Sequence, residues 1–151
     1  MIISSLQDMM AFGSKIATSL HGGEIFELVG DVGAGKTTFT RGLAEGMGVT
    51  DAVQSPTFTI SREYKAADGL RLVHYDFYRL GEAGIMADEL AESLADPKSV
   101  VVIEWAETVA SVLPDDRVTL RIELVADDED ARNVLWHTSG AVSNKLMEGM
   151  E

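Results

Sequence analysis

The chain has no cysteine among its 151 residues. That removes disulfides, zinc–thiolate centres and cysteine nucleophiles, and it fits a reducing compartment, so a cytoplasmic location is expected. No apolar run approaches the roughly eighteen residues that a membrane helix needs, and no membrane span is expected. The N-terminus carries Asp8 and scattered apolar residues rather than a basic segment followed by an apolar run, so no signal peptide is expected. Cations are scarce: 12 Lys and Arg stand against 25 Asp and Glu, a formal net charge of −13. Such a surface repels nucleic-acid phosphates unless its few cations gather in a patch, and here they are scattered. Strong direct RNA binding is therefore disfavoured and a basic protein partner fits better, with a charged surface serving solubility as the plain alternative. There are no repeats, linkers or low-complexity blocks. The length suits one domain with its own core; its expected extent is residues 1–138, with 139–151 as a C-terminal tail.

What the chain does have is Gly30-Asp31-Val32-Gly33-Ala34-Gly35-Lys36-Thr37-Thr38, a full G-x-x-x-x-G-K-T phosphate-binding loop. Glu24 to Val29 before it reads as a strand, and Phe39, Leu43 and Met47 after it recur at helical spacing. Strand, glycine-rich turn and helix start are the context this chemistry requires. The glycines let successive N–H groups converge on one anion. The helix N-terminus adds free donors and partial positive charge. Lys36 supplies a full charge for the β- and γ-phosphates of a nucleotide, and the Thr37 hydroxyl suits a hard Mg²⁺ ion.

Elsewhere, Ser5 to Asp8 reads as a capping box opening a helix with Leu6, Met9, Ile16 and Leu20 inward, ended by Gly22-Gly23. Thr57 to Tyr64 and Leu70 to Tyr75 read as a hairpin turned at Asp68-Gly69. Gly81 to Leu94 is expected to be helical, with Ile85, Leu90 and Leu94 inward and Pro97 as its breaker. Val100 to Ile103 is a continuous β-branched run, as in a strand buried on both faces. Ala106 to Leu113 reads as a short helix. Val118 to Val125 alternates, with Val118, Leu120, Ile122 and Leu124 on one face. Asp127 to Asp130 reads as an acidic turn, Asn133 to His137 as a last strand, and the tail as helical or frayed. The fold class that follows is α/β, a P-loop NTPase-like three-layer fold with a mixed central sheet. Ligands in such sheets bind beyond the carboxyl ends of the strands.

Residues at those ends are site candidates. Glu104 follows Ile103 directly, the Walker B pattern of an acid that holds Mg²⁺ directly or through water. Asp76 closes a hairpin strand and either orients the attacking water or fixes a turn. Thr57, in Ser55-Pro56-Thr57-Phe58, lies where phosphate-loop NTPases carry a switch segment; a loop entering a strand is the alternative. Trp105 reads equally as a wall of the nucleotide site, a partner contact or a half-buried strand-end residue. His74 reads as a satisfied, half-buried core histidine rather than a catalytic one, and Arg79 as structural rather than a phosphate contact.

Together, Gly30 to Thr38, Ser55 to Thr59, His74 to Leu80 and Ile103-Glu104-Trp105-Ala106-Glu107 resemble the four signature segments of the TsaE (YjeE) family of bacterial tRNA threonylcarbamoyladenosine biosynthesis ATPases. The resemblance spans about residues 3–125 and implies a small cytoplasmic ATPase that works with TsaB and TsaD on adenosine 37 of tRNA. Its ATP hydrolysis would reset that complex between rounds, and tRNA would be met only indirectly. It further implies that Gly30 to Thr38 bind ATP, with Lys36 on phosphate, Thr37 on phosphate and Mg²⁺, and Thr38 near the α-phosphate. It makes Glu104 the Mg²⁺-linked acid and Asp76 an essential aspartate, and it puts Thr57 in the switch-like loop. Ala106 stands where the family often has proline, and the stretch beyond Val125 lies outside the resemblance.

Two further readings compete with this one. A small-metabolite kinase needs a mobile lid carrying arginines, and no arginine-rich segment of that length is present. A GTP-dependent switch needs N-K-x-D, whereas the Asn-Lys pair here continues as Leu146-Met147. With no obvious arginine finger, hydrolysis is expected to be slow alone and faster with partners.

Overall fold

A computed structural model describes residues 1–79 and 84–150. The order of elements is β1 (Ile2–Ile3), α1 (Leu6–Ala17), β2 (Ile25–Val29), α2 (Lys36–Gly46), β3 (Ser61–Lys65), β4 (Arg71–Asp76), α3 (Gly84–Ala95), β5 (Ser99–Glu104), β6 (Val118–Val125), β7 (Asp128–Thr138) and α4 (Ala141–Met147), with 3-10 turns at Ala67–Gly69 and Ala106–Val112. The seven strands form one mixed sheet in the order β1-β7-β6-β2-β5-β4-β3. Its centre, β4-β5-β2-β6, is parallel, while β3 and β7 run antiparallel to their neighbours.

The period-2 geometry of a strand explains the β-branched run. Val100 and Val102 enter the core shared with α1, α2 and α4; Val101 and Ile103 enter the opposite core with α3 and the 3-10 segment. With helices on both faces the chain is a three-layer α/β fold, as its sequence implies.

Helices α1 and α2 pack on one face of the sheet. Ser5 caps α1 by accepting the Asp8 amide at 3.1 Å. A Cβ at Gly42 would lie 2.1 Å from the Met10 carbonyl oxygen, and one at Gly13 would lie 2.5 Å from that of Phe39. The two backbones approach this closely because neither position carries a side chain.

Several sequence expectations are corrected. Leu6 is 57% exposed and lines the rim of a surface hollow instead of facing inward. Helix α1 stops at Ala17, in 3-10 bonds from Thr18, Ser19 and Leu20, well before Gly22. Strand β3 starts at Ser61 rather than Thr57. The amides of Thr59 and Ile60 both donate to the Pro56 carbonyl, and Ile60 takes a positive φ of 68°, which closes a turn there. Strand β7 starts at Asp128. The turn needs only Ala126 and Asp127 (φ 63°), so most of the acidic cluster belongs to an exposed strand. Leu124 is exposed beside the register shift between Leu124 and Val125. The tail forms α4, whose Leu146 and Met147 join the core, as does Met150 beyond it. The expected helix start at Gly81 to Ala83, Leu80, the side chain of Ile85 and Glu151 lie outside the described residues. Among the described residues no helix is long and apolar enough to cross a membrane.

Candidate active site

Three parallel strands end side by side, and each delivers part of one hollow. Val29 of β2 leads into Gly30 to Gly35; Asp76 ends β4; Glu104 ends β5, opposite Asp76 in the register. A hollow of about 480 Å³ collects Val32, Gly33, Gly35 to Thr38, Ser55, Thr57, Asp76, Tyr78, Arg79, Glu104 and Trp105.

The loop's shape follows from its glycines. Gly33 (φ 83°) and Gly35 (φ 112°) occupy the left-handed region, which costs a side-chain-bearing residue energy. Gly35 is the N-cap of α2 and makes no side-chain cap, so amides of the first turn stay available. Asp31, Val32 and Gly33 are exposed, Ala34 is buried beneath the loop, and Thr37 and Thr38 are half-buried in the first turn of α2.

Lys36 is buried and folds back over its own loop, donating from Nζ to the Gly30 carbonyl at 2.7 Å. The same ammonium lies 3.6 Å from Glu104 Oε1 and 4.5 Å from the centre of the Trp105 ring. Charge, carboxylate and aromatic face thus hold it at the mouth of the loop. Trp105 reaches this place from a left-handed backbone (φ 56°), and its ring lies 4.8 Å from that of Tyr78, so it forms a wall of the hollow.

Asp76 is buried and serves two partners. Its Oδ1 accepts the Tyr78 amide at 2.9 Å and fixes the turn; its Oδ2 accepts the Thr57 hydroxyl at 2.9 Å. Thr57 also lies 2.8 Å from the Ser55 hydroxyl. The segment expected to act as a switch is therefore latched to the carboxylate expected to meet water. Arg79 lies along the rim, its guanidinium 4.5 Å above the ring of Phe58, which is 81% exposed.

His74 is fully buried, not half-buried, and its Nε2 lies 2.5 Å from Glu104 Oε2. A carboxylate accepts, so Nε2 carries the proton. Nδ1 is buried without a partner among the described residues. Glu104 is thereby held from both sides, by Lys36 on one oxygen and His74 on the other.

The donors that face one another, the Thr37 hydroxyl and the carboxylates of Asp76 and Glu104, are all hard oxygens, which suit Mg²⁺. Among the described residues no group of three or more His, Asp or Glu is disposed to hold a metal by itself.

Arg132 was not a sequence candidate. From β7 it reaches under the loop and donates Nε–H to the Ala34 carbonyl at 2.8 Å. Its partners in the loop are main-chain oxygens 98 and 99 residues away, so no side-chain pattern in the sequence signals it.

Comparison with known proteins agrees with this geometry. The family described as threonylcarbamoyl adenosine biosynthesis protein TsaE matches residues 3–134. The tRNA threonylcarbamoyladenosine biosynthesis protein TsaE of Streptomyces coelicolor is 46% identical over 131 residues, 83% of this chain and 87% of that protein. The protein of the same name from Bacillus subtilis is 40% identical over 124 residues, 82% of this chain and 76% of its own length. The crystal structure of Bacillus subtilis YdiB superposes with a TM-score of 0.79 at 33% identity, covering 99% of this chain and 91% of that one. The chain belongs to the TsaE family of threonylcarbamoyl adenosine biosynthesis proteins.

Proposed function

We propose that the chain is a Mg²⁺-dependent ATPase of tRNA N6-threonylcarbamoyladenosine synthesis, hydrolysing ATP so that a TsaB–TsaD complex turns over repeatedly. The observation that carries this reading is the convergence of Lys36, Asp76 and Glu104 on the phosphate-loop hollow from three neighbouring strand ends. Family membership and the names borne by the relatives supply the pathway.

Free amides of the loop and the first turn of α2 bind the β- and γ-phosphates. Lys36 exchanges the Gly30 carbonyl for phosphate oxygens, and Thr38 faces the α-phosphate. Thr37 and Glu104 would hold Mg²⁺, which when bound draws charge from the β- and γ-phosphate oxygens. Asp76 aligns a water in line with the γ-phosphate and accepts its proton at Oδ2 once Thr57 releases that oxygen. Thr57 then contacts the γ-phosphate side of the hollow. Catalysis is positioning plus charge stabilisation. Arg79, at the rim of the hollow, is stacked on the Phe58 ring and is no ready finger, so turnover alone is slow and partners accelerate it.

The net charge of −13 supports contact with TsaD and TsaB rather than with tRNA, which is met through the complex. Reconstitution tests the proposal: TsaB–TsaD, tRNA and threonylcarbamoyl-adenylate are combined with and without this protein. Repeated modification that requires this protein and ATP is expected. Equal multiple turnover in its absence contradicts the proposal.

A further inference from the structure

Arg132 is 9% exposed, and among the described residues no carboxylate pairs with it. Its guanidinium is satisfied by carbonyls alone: Nε to Ala34 at 2.8 Å, NH1 to Glu129 at 2.6 Å and Ala131 at 2.8 Å, and NH2 to Gly33 at 3.4 Å. Two of these four oxygens belong to the phosphate loop. Across a trans peptide the C=O and the next N–H point in opposite directions. Fixing the Ala34 oxygen toward Arg132 therefore turns the Gly35 N–H the other way, toward the hollow that Gly35 lines. The preceding amide, that of Ala34, is engaged with the Asp31 carbonyl at 3.0 Å. Gly35, at φ 112°, is a glycine and so has more torsional freedom to lose than a residue with a side chain.

Burying a guanidinium without a counter-ion is costly unless something nearby repays it. Four carbonyl dipoles take four of its five N–H donors and leave its positive charge without an ion-pair partner behind the loop. A polyanion on the opposite side of that loop is a fitting counterpart.

We infer that Arg132 is a positioning residue for polyphosphate: it locks the Gly33–Gly35 peptides so that the Gly35 amide faces the ligand, and it adds a buried positive charge beneath the loop. The inference rests on the phosphate-site reading above. It makes the β6–β7 hairpin part of the binding machinery, although β7 contributes no residue to the wall of the hollow.

The test uses the full chain and inorganic pyrophosphate, a probe without base or ribose. Binding is measured by calorimetry for wild type, Arg132→Lys and Arg132→Met. The account expects about tenfold weaker binding for Arg132→Lys, which keeps the charge but not the fork, and a larger loss for Arg132→Met. A structural role alone would lower the melting temperature and leave the affinity of the folded protein unchanged, and wild-type affinity in Arg132→Lys overturns the inference. A second measurement needs no variant. In wild type the Arg132 Nε–H proton signal is expected to exchange slowly and to shift, together with the Gly35 amide, on adding pyrophosphate. Fast exchange, or a Gly35 amide that ignores the ligand, overturns it. A wild-type chain that binds no pyrophosphate overturns the phosphate-site reading and this inference together.

Discussion

Asp76 and Glu104 face each other across adjacent parallel strands, and each uses its two oxygens for different partners. Asp76 divides between the Tyr78 amide and the Thr57 hydroxyl; Glu104 divides between Lys36 and His74. Of the two, Asp76 alone has an oxygen tied to a hydroxyl on a separate loop.

Replacing Asp76 by Asn keeps the turn-fixing oxygen and removes the proton acceptor proposed above. ATPase kcat should fall by about 100-fold or more, the usual contribution of a general base, while nucleotide affinity stays nearly constant. Steady-state kinetics beside equilibrium binding check it. Equal loss of binding and turnover would remove Asp76 from the catalytic role.

His74 orients Glu104 from below. His74→Leu should raise the Mg²⁺ concentration needed for half-maximal ATPase activity about 10- to 100-fold, as loss of a group supporting a metal ligand commonly does. A Mg²⁺ titration of both proteins decides it. An unchanged midpoint would mean that Lys36 alone holds Glu104 in place.

Gly42 carries a prediction whose sign opposes helix propensity. Alanine in a helix interior is ordinarily worth about 1 kcal/mol over glycine. Here the added methyl would meet the Met10 carbonyl at 2.1 Å, so α1 must move. Gly42→Ala should destabilise by about 1–3 kcal/mol in urea unfolding.

Asp116 holds α4 to the sheet by accepting the amides of Ser143 and Val142 at 2.9 and 3.0 Å. The Ser143 amide, first among these bonds, keeps its carboxyl below the ordinary range. A lowered value means that the folded state binds the proton less readily than the unfolded chain. The contribution is thus complete above the unfolded value near 3.9 and is lost as pH falls through the lower folded value. The melting temperature of wild type should exceed that of Asp116→Ala above about pH 5, and the two should converge below about pH 3. A gap that persists at low pH would assign the effect to packing.

Much of this was legible because it is local. The phosphate loop is contiguous, and Val100 to Glu104 announces a buried strand ending in an acid. What was not legible depends on contacts between distant segments. His74 looks like any strand histidine until β4 and β5 align in register. Leu6 fits the apolar stripe of α1, and that stripe does not reveal that the first residue of the helix stands at the rim of the hollow. The strand expected from Thr57 is pre-empted by two amides converging on the Pro56 carbonyl. Arg132 binds carbonyl oxygens, which every residue has, so nothing in the sequence distinguishes its partners.

The most direct test is equilibrium binding of ATP with Mg²⁺ to the wild-type chain and to Lys36→Ala. The account predicts saturable one-to-one binding by wild type and a loss of at least about 100-fold on removing the buried ammonium from the phosphate loop. Wild-type affinity in Lys36→Ala would contradict it.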